Sequence, residues 1–151
     1  MEASWIAAMA IHEAGHVVVG YKLGFRVKSS EIPERAGWNG ITKICGNEST
    51  TAVQFTALSF AGQEAEKLLF GTADSRRSEI DVKTLETIVS ERTDIIENDQ
   101  LQQLFSEGRQ LAKNILQKHH GSIERVASEL QAKLNLSESE IHELMTENDQ
   151  T

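Results

Sequence analysis

Several things are scarce in this chain. There is one cysteine, one proline and one tyrosine in 151 residues, and aromatic side chains make up 5% of the whole. With Cys45 alone, no disulfide forms within the chain and there is no C-x-x-C metal clasp. A reducing, cytoplasmic setting is the simplest expectation, with Cys45 read as a small core residue. Positive charge is also short. Fifteen Lys and Arg stand against 23 Asp and Glu, a net charge of −8. That argues against nucleic acid or an anionic membrane as partner, since either favours a basic patch. No G-x-x-x-x-G-K loop occurs, so the chain carries no ATPase module of that kind. No basic flank precedes an apolar run at the N-terminus, so no signal peptide is expected. The stretch 5–21 is near the lower length limit for a membrane span, but it carries His12, Glu13 and His16 together, which argues against insertion.

What remains is ordinary globular material, 39% hydrophobic and 25% charged. The length fits a single domain over 1–151, with 147–151 frayed at the end. The acid gathers toward the C-terminal half, where it reads as solvated helix faces. No internal repeat or low-complexity segment is present.

The informative stretch is Ala10-Ile11-His12-Glu13-Ala14-Gly15-His16, an H-E-x-x-H pattern within a run of helix formers. On a helix, His12 and His16 share a face with Cβ atoms about 6 Å apart. Two imidazoles so placed reach one zinc ion, and the Glu13 carboxylate beside them can take a proton from water as a general base. From Trp5 to Tyr21 the only formally charged side chain is Glu13. A helix apolar on nearly every side is expected to be buried all round. Burying a carboxylate and two imidazoles is costly unless something pairs with them. A metal ion does so; the competing reading is a core helix whose histidines bond to backbone groups. Gly15 and Gly20 each cost a helix about 1 kcal/mol relative to Ala, so their presence implies close approach by a neighbouring element.

The rest of the chain reads as follows. The first helix covers 2–23, with Gly24 as its C-cap. A strand begins at Arg26 and is broken by Pro33; a turn covers 36–40; a second strand covers 41–45. This small sheet is expected against the first helix. Its second strand is either core or an open edge to which an extended peptide can add. A helix over 51–70 ends at Gly71, and Ala61-Gly62 suits close packing beside Gly15. Ser78 with Asp81 matches a capping box opening a helix over 82–96. Asp81 also has a functional reading. Catalytic zinc usually has three protein ligands, the H-E-x-x-H helix supplies two, and Asp81 completes the set. Further helices are expected over 99–119, ended by Gly121, over 122–134, capped by Ser122, and over 138–145, opened by a capping box of Ser137 with Glu140. His119, His120 and His142 read as surface residues. The sum is a mainly α domain with a small β-sheet or hairpin.

In this order the pieces resemble the peptidase domain of FtsH-type ATP-dependent zinc metalloproteases. The resemblance rests on His12-Glu13-Ala14-Gly15-His16, on the run from Ala61-Gly62-Gln63-Glu64-Ala65-Glu66 to Gly71, on Asp81-Val82 opening a helix, and on the stretch from Ile123 to Ser137. It implies a zincin-like helical metalloprotease domain with Zn²⁺ held by His12, His16 and Asp81. It implies Glu13 as catalytic base and 40–44 as an active-site edge strand. Glu66 matches a carboxylate near the site and stands as a residue behind the ligands or as the alternative third ligand. Two departures stand out. Neither the membrane anchor nor the AAA+ ATPase of such proteases is expected within these 151 residues, and 74–80 replaces the usual small-residue lead-in to the aspartate. The resulting expectation is a zinc metalloendopeptidase for extended or unfolded polypeptides, as a ring-forming homo-oligomer with a separate ATPase partner. The alternative is an inactive, metal-bound or metal-free module that binds peptide or protein. A plain helical interaction protein that binds no metal is a third reading.

Overall fold

The computed structural model describes residues 2–34, 39–46, 49–74 and 98–146. The turn expected over 36–40 falls partly outside them. The capping box at Ser78, Asp81 itself and the helix expected over 82–96 fall wholly outside. The described chain is mainly helical with a small three-stranded antiparallel sheet.

The first helix, α1, runs Glu2–Lys22. Every residue from Met9 to Gly20 is buried, as an all-round apolar helix requires. It ends at Gly24, whose φ of 87° lies in the left-handed region. There Phe25 N–H donates to the Gly20 carbonyl at 2.9 Å and Gly24 N–H to that of Tyr21 at 3.1 Å, which satisfies the last carbonyls of the helix. Among the described residues no helix is long and apolar enough to cross a membrane.

Strand β1 (Arg26–Glu31) pairs with β2 (Ile41–Cys45) on one side and with β3 (Asn135–Ser137) on the other, giving the order β2-β1-β3. A bulge between Val27 and Ser29 shifts the β1–β2 register, so that Ser30 lies opposite Thr42 and Glu31 opposite Ile41. Among the described residues β2 is thus an edge strand of this sheet, with Ile41, Lys43 and Cys45 exposed and Thr42 and Ile44 half-buried. Cys45 is exposed, which corrects its expected core placement: on an edge strand, alternate side chains point away from the packed face.

Helix α2 (Ala52–Phe70) opens on a reciprocal capping box between Thr51 and Gln54 and closes at Gly71, φ 79°. It lies against α1 as the small residues suggest. A Cβ added to Gly15 would stand 2.5 Å from the Ala61 carbonyl oxygen and 2.7 Å from Ala65 Cβ. Helix α3 (Asn98–Lys118) packs on α2. At this crossing a Cβ on Gly108 would collide with the Thr56 side chain. Phe60 is buried there, with Phe55, Leu101, Leu104 and Phe105 around it.

Helix α4 (His120–Lys133) contradicts the expectation at Gly121, which lies inside it and ends nothing. The break comes earlier, at His119. Its N–H turns back to the carbonyls of Ile115 and Leu116, and its own carbonyl accepts from Ile123 N–H at 3.2 Å. Ser122 is accordingly buried in the first turn rather than capping it. Helix α5 (Glu138–Met145) opens on the expected Ser137–Glu140 capping box. His120 and His142 are exposed and His119 is half-buried. β3 was not expected; three residues are too few to show an alternating pattern.

Candidate metal centre

The site is built on two turns of α1 and one face of α2. His12, Glu13 and His16 are 3%, 5% and 8% exposed, so each needs a partner in the interior. α2 provides two of them. Glu66, 1% exposed, places Oε2 at 2.8 Å from His12 Nδ1. The Leu58 carbonyl oxygen lies 2.9 Å from His16 Nδ1. A carboxylate and a carbonyl only accept, so both Nδ1 atoms donate. With the proton on Nδ1, each ring presents the lone pair of Nε2.

Those two nitrogens point at each other. His12 Nε2 and His16 Nε2 are 3.3 Å apart, and the rings meet edge to face with centroids 5.0 Å apart. With both rings neutral the two lone pairs repel, and a proton or a cation shared between them reverses the sign. In a tetrahedral zinc site with bonds of about 2.0–2.1 Å, neighbouring ligand atoms lie about 3.3–3.4 Å apart. The observed separation fits that edge. Each imidazole is backed by a carboxylate or a carbonyl, which fixes its tautomer and ring orientation, as is usual for histidines that bind zinc.

Close packing leaves the rings little room. A Cβ on Gly62 would stand 2.5 Å from His12 Cε1 and Nε2. Glycine at that position is therefore a demand of the imidazole as well as of the helix crossing.

Glu13 leans the other way, to the sheet. Thr42 Oγ1 donates to Glu13 Oε1 at 2.6 Å, and Ser30 Oγ lies 2.9 Å from Thr42 Oγ1. A Cβ on Gly40 would meet Glu13 Cγ at 2.7 Å and Oε2 at 3.0 Å. The bare backbone at Gly40 thus makes space for the carboxylate at the head of β2.

Of the expected ligands, the structure brings His12 and His16 together. It sets Glu66 behind His12, bonded to the nitrogen opposite the one that faces His16. Asp81 lies outside the described residues, and among those described no three His, Cys, Asp or Glu side chains form a metal-binding group. The sequence reading did not include Leu58, Thr42, Ser30 or the part Gly62 plays against His12. A main-chain carbonyl leaves no mark in a sequence, and serines and threonines on a short strand look like any polar alternation.

Compared with protein-family models and with curated proteins, the chain matches none.

Proposed function

We propose that this chain is a zinc metalloendopeptidase domain that cleaves extended or unfolded polypeptides. The observation that carries the reading is the convergence of two buried imidazole Nε2 atoms at 3.3 Å, each ring held from behind by an acceptor. The order of motifs shared with FtsH-type peptidase domains supports it. His12 and His16 hold the ion, and Asp81 is the proposed third ligand. Glu66, engaged with His12 Nδ1, is better suited to orienting that ring than to binding metal itself.

When bound, the ion supplies a positive charge that polarises a peptide carbonyl and lowers the pKa of water to about 7. Glu13 accepts a proton from water as its oxygen attacks the carbonyl carbon. Glu13 then returns the proton to the departing nitrogen as the C–N bond breaks. One water is consumed and a carboxylate and an amine are released. β2 offers main-chain groups along the sheet edge beside Glu13, suited to an extended substrate that pairs as a further strand. Such binding reads backbone more than side chains, which fits unfolded chains as substrates. Folded substrates need a separate ATPase, in a ring assembly of the kind the resemblance implies. The lone exposed Cys45 is compatible with the reducing cytoplasm.

The test is hydrolysis of casein by zinc-loaded chain and by Glu13→Gln. Cleavage by the wild type, with loss of cleavage and retention of zinc in the variant, is expected. Full activity in Glu13→Gln rejects Glu13 as base. Peptide binding without cleavage by the wild type makes the chain a binding module instead.

A further inference from the structure

Behind Glu13 stands a second set of groups to which the reaction as written gives no role. Ser30 is fully buried on β1 and faces Thr42 directly across the sheet. Thr42 in turn contacts Glu13. The direction of the bonds follows from the carboxylate, which only accepts. Thr42 therefore donates its hydroxyl proton to Glu13 Oε1, and its oxygen is left to accept from Ser30 at 2.9 Å. The Thr42–Glu13 distance of 2.6 Å lies in the range of charge-assisted O–H···O⁻ bonds. Each hydroxyl polarises the next, so the chain Ser30 to Thr42 to Glu13 is stronger than isolated pairs.

We propose that Thr42, held by Ser30, is a positioning residue for Glu13: it ties Oε1 to the sheet so that Oε2 is presented to water. The inference rests on Glu13 acting as base. The mechanism is geometric. A glutamate has three rotatable side-chain bonds, and a general base must lie within hydrogen-bond reach of the proton it takes. Three restraints remove the alternatives here. Thr42 fixes one oxygen. Gly40, lacking a Cβ, lets the Glu13 Cγ lie flat against the strand. The β1 bulge sets the register that puts Ser30 opposite Thr42. The strand that is suited to receive a substrate is thus the strand that aims the base, which couples the two tasks.

Thr42→Val removes the hydroxyl at nearly constant volume, and Thr42→Ser keeps it. The first readout needs no activity: three-bond couplings of the Glu13 side chain by NMR in metal-free protein. A single rotamer is expected in the wild type and in Thr42→Ser, and averaging in Thr42→Val. The second readout is casein hydrolysis by zinc-loaded protein. Thr42→Val should lower kcat about 10–100-fold with KM within about twofold and zinc content unchanged, and Thr42→Ser should recover to within about threefold of wild type. Wild-type couplings in Thr42→Val, or averaging in Thr42→Ser equal to that in Thr42→Val, overturn the proposal. So does wild-type kcat in Thr42→Val, or a kcat in Thr42→Ser as low as in Thr42→Val. If the wild type cleaves nothing, the peptidase reading fails on its own, and the couplings alone judge whether Thr42 fixes Glu13.

Discussion

Glu66 Oε2 sits 2.8 Å from His12 Nδ1, with both side chains almost wholly withdrawn from solvent. A buried carboxylate on a buried imidazole fixes which nitrogen carries the proton and strengthens the other as a donor to metal. Glu66→Gln keeps an oxygen that can accept from Nδ1 but removes the charge. Zinc affinity measured against a chelator should fall about 10–100-fold. Unchanged affinity in a folded Glu66→Gln protein would reduce Glu66 to a packing residue.

Gly62→Ala should separate metal binding from folding. Alanine is the better helix former by about 1 kcal/mol, yet its Cβ would stand 2.5 Å from the His12 ring. The ring must turn aside, so zinc uptake should drop sharply while circular dichroism retains the helical signal. Wild-type uptake by this variant would show that the ring tolerates displacement.

Gly108→Ala tests the α2–α3 crossing, far in sequence from His12 and His16. The added methyl falls on the Thr56 side chain, with the Ala57 amide nitrogen 3.0 Å away. Overpacking of this kind costs about 1–3 kcal/mol, less the helix-propensity gain. A lower thermal midpoint is expected, with kcat per folded molecule preserved. A raised midpoint would mean the two helices are not held as closely as described.

Acid should act at the sheet–α5 corner. Glu140 is held down to about 2 from an ordinary 4.5, first by the Lys133 ammonium and then by the Ser137 backbone and hydroxyl. Because the folded-state value is the lower one, the carboxylate favours the folded state above pH 4.5, and this advantage is lost as pH falls through about 2. Glu140→Gln should therefore lower the thermal midpoint near neutrality and converge on wild type toward the bottom of that window. A constant difference at every pH would contradict the assignment.

Much of the fold is legible in the sequence. The all-round apolar run of α1, the small residues of α2 and the Ser137 box are local signals that packing reinforced. The break at His119 was not, because it depends on where α3 and α4 turn against α1, and Gly121 offered a misleading stop signal. The grouping of the candidate site was legible where chemistry repeats at helical spacing: His12 and His16 meet, with Glu13 buried beside them. Its supports were not. Leu58 contributes only a carbonyl, and Ser30 meets Thr42 only through a bulged register. Cys45 was misplaced because whether a short strand lies at an edge or in the centre is a property of the sheet, not of the strand.

The central claim is that one zinc ion binds between His12 and His16, and metal content tests it most directly. Metal-free chain would be dialysed against excess zinc, freed of unbound ion and analysed for metal, beside His12→Ala and Asp81→Ala. The account predicts about one zinc per wild-type chain, none retained by His12→Ala, and markedly weakened retention by Asp81→Ala. A folded wild-type chain that takes up no zinc, or a His12→Ala chain that retains it undiminished, contradicts the account.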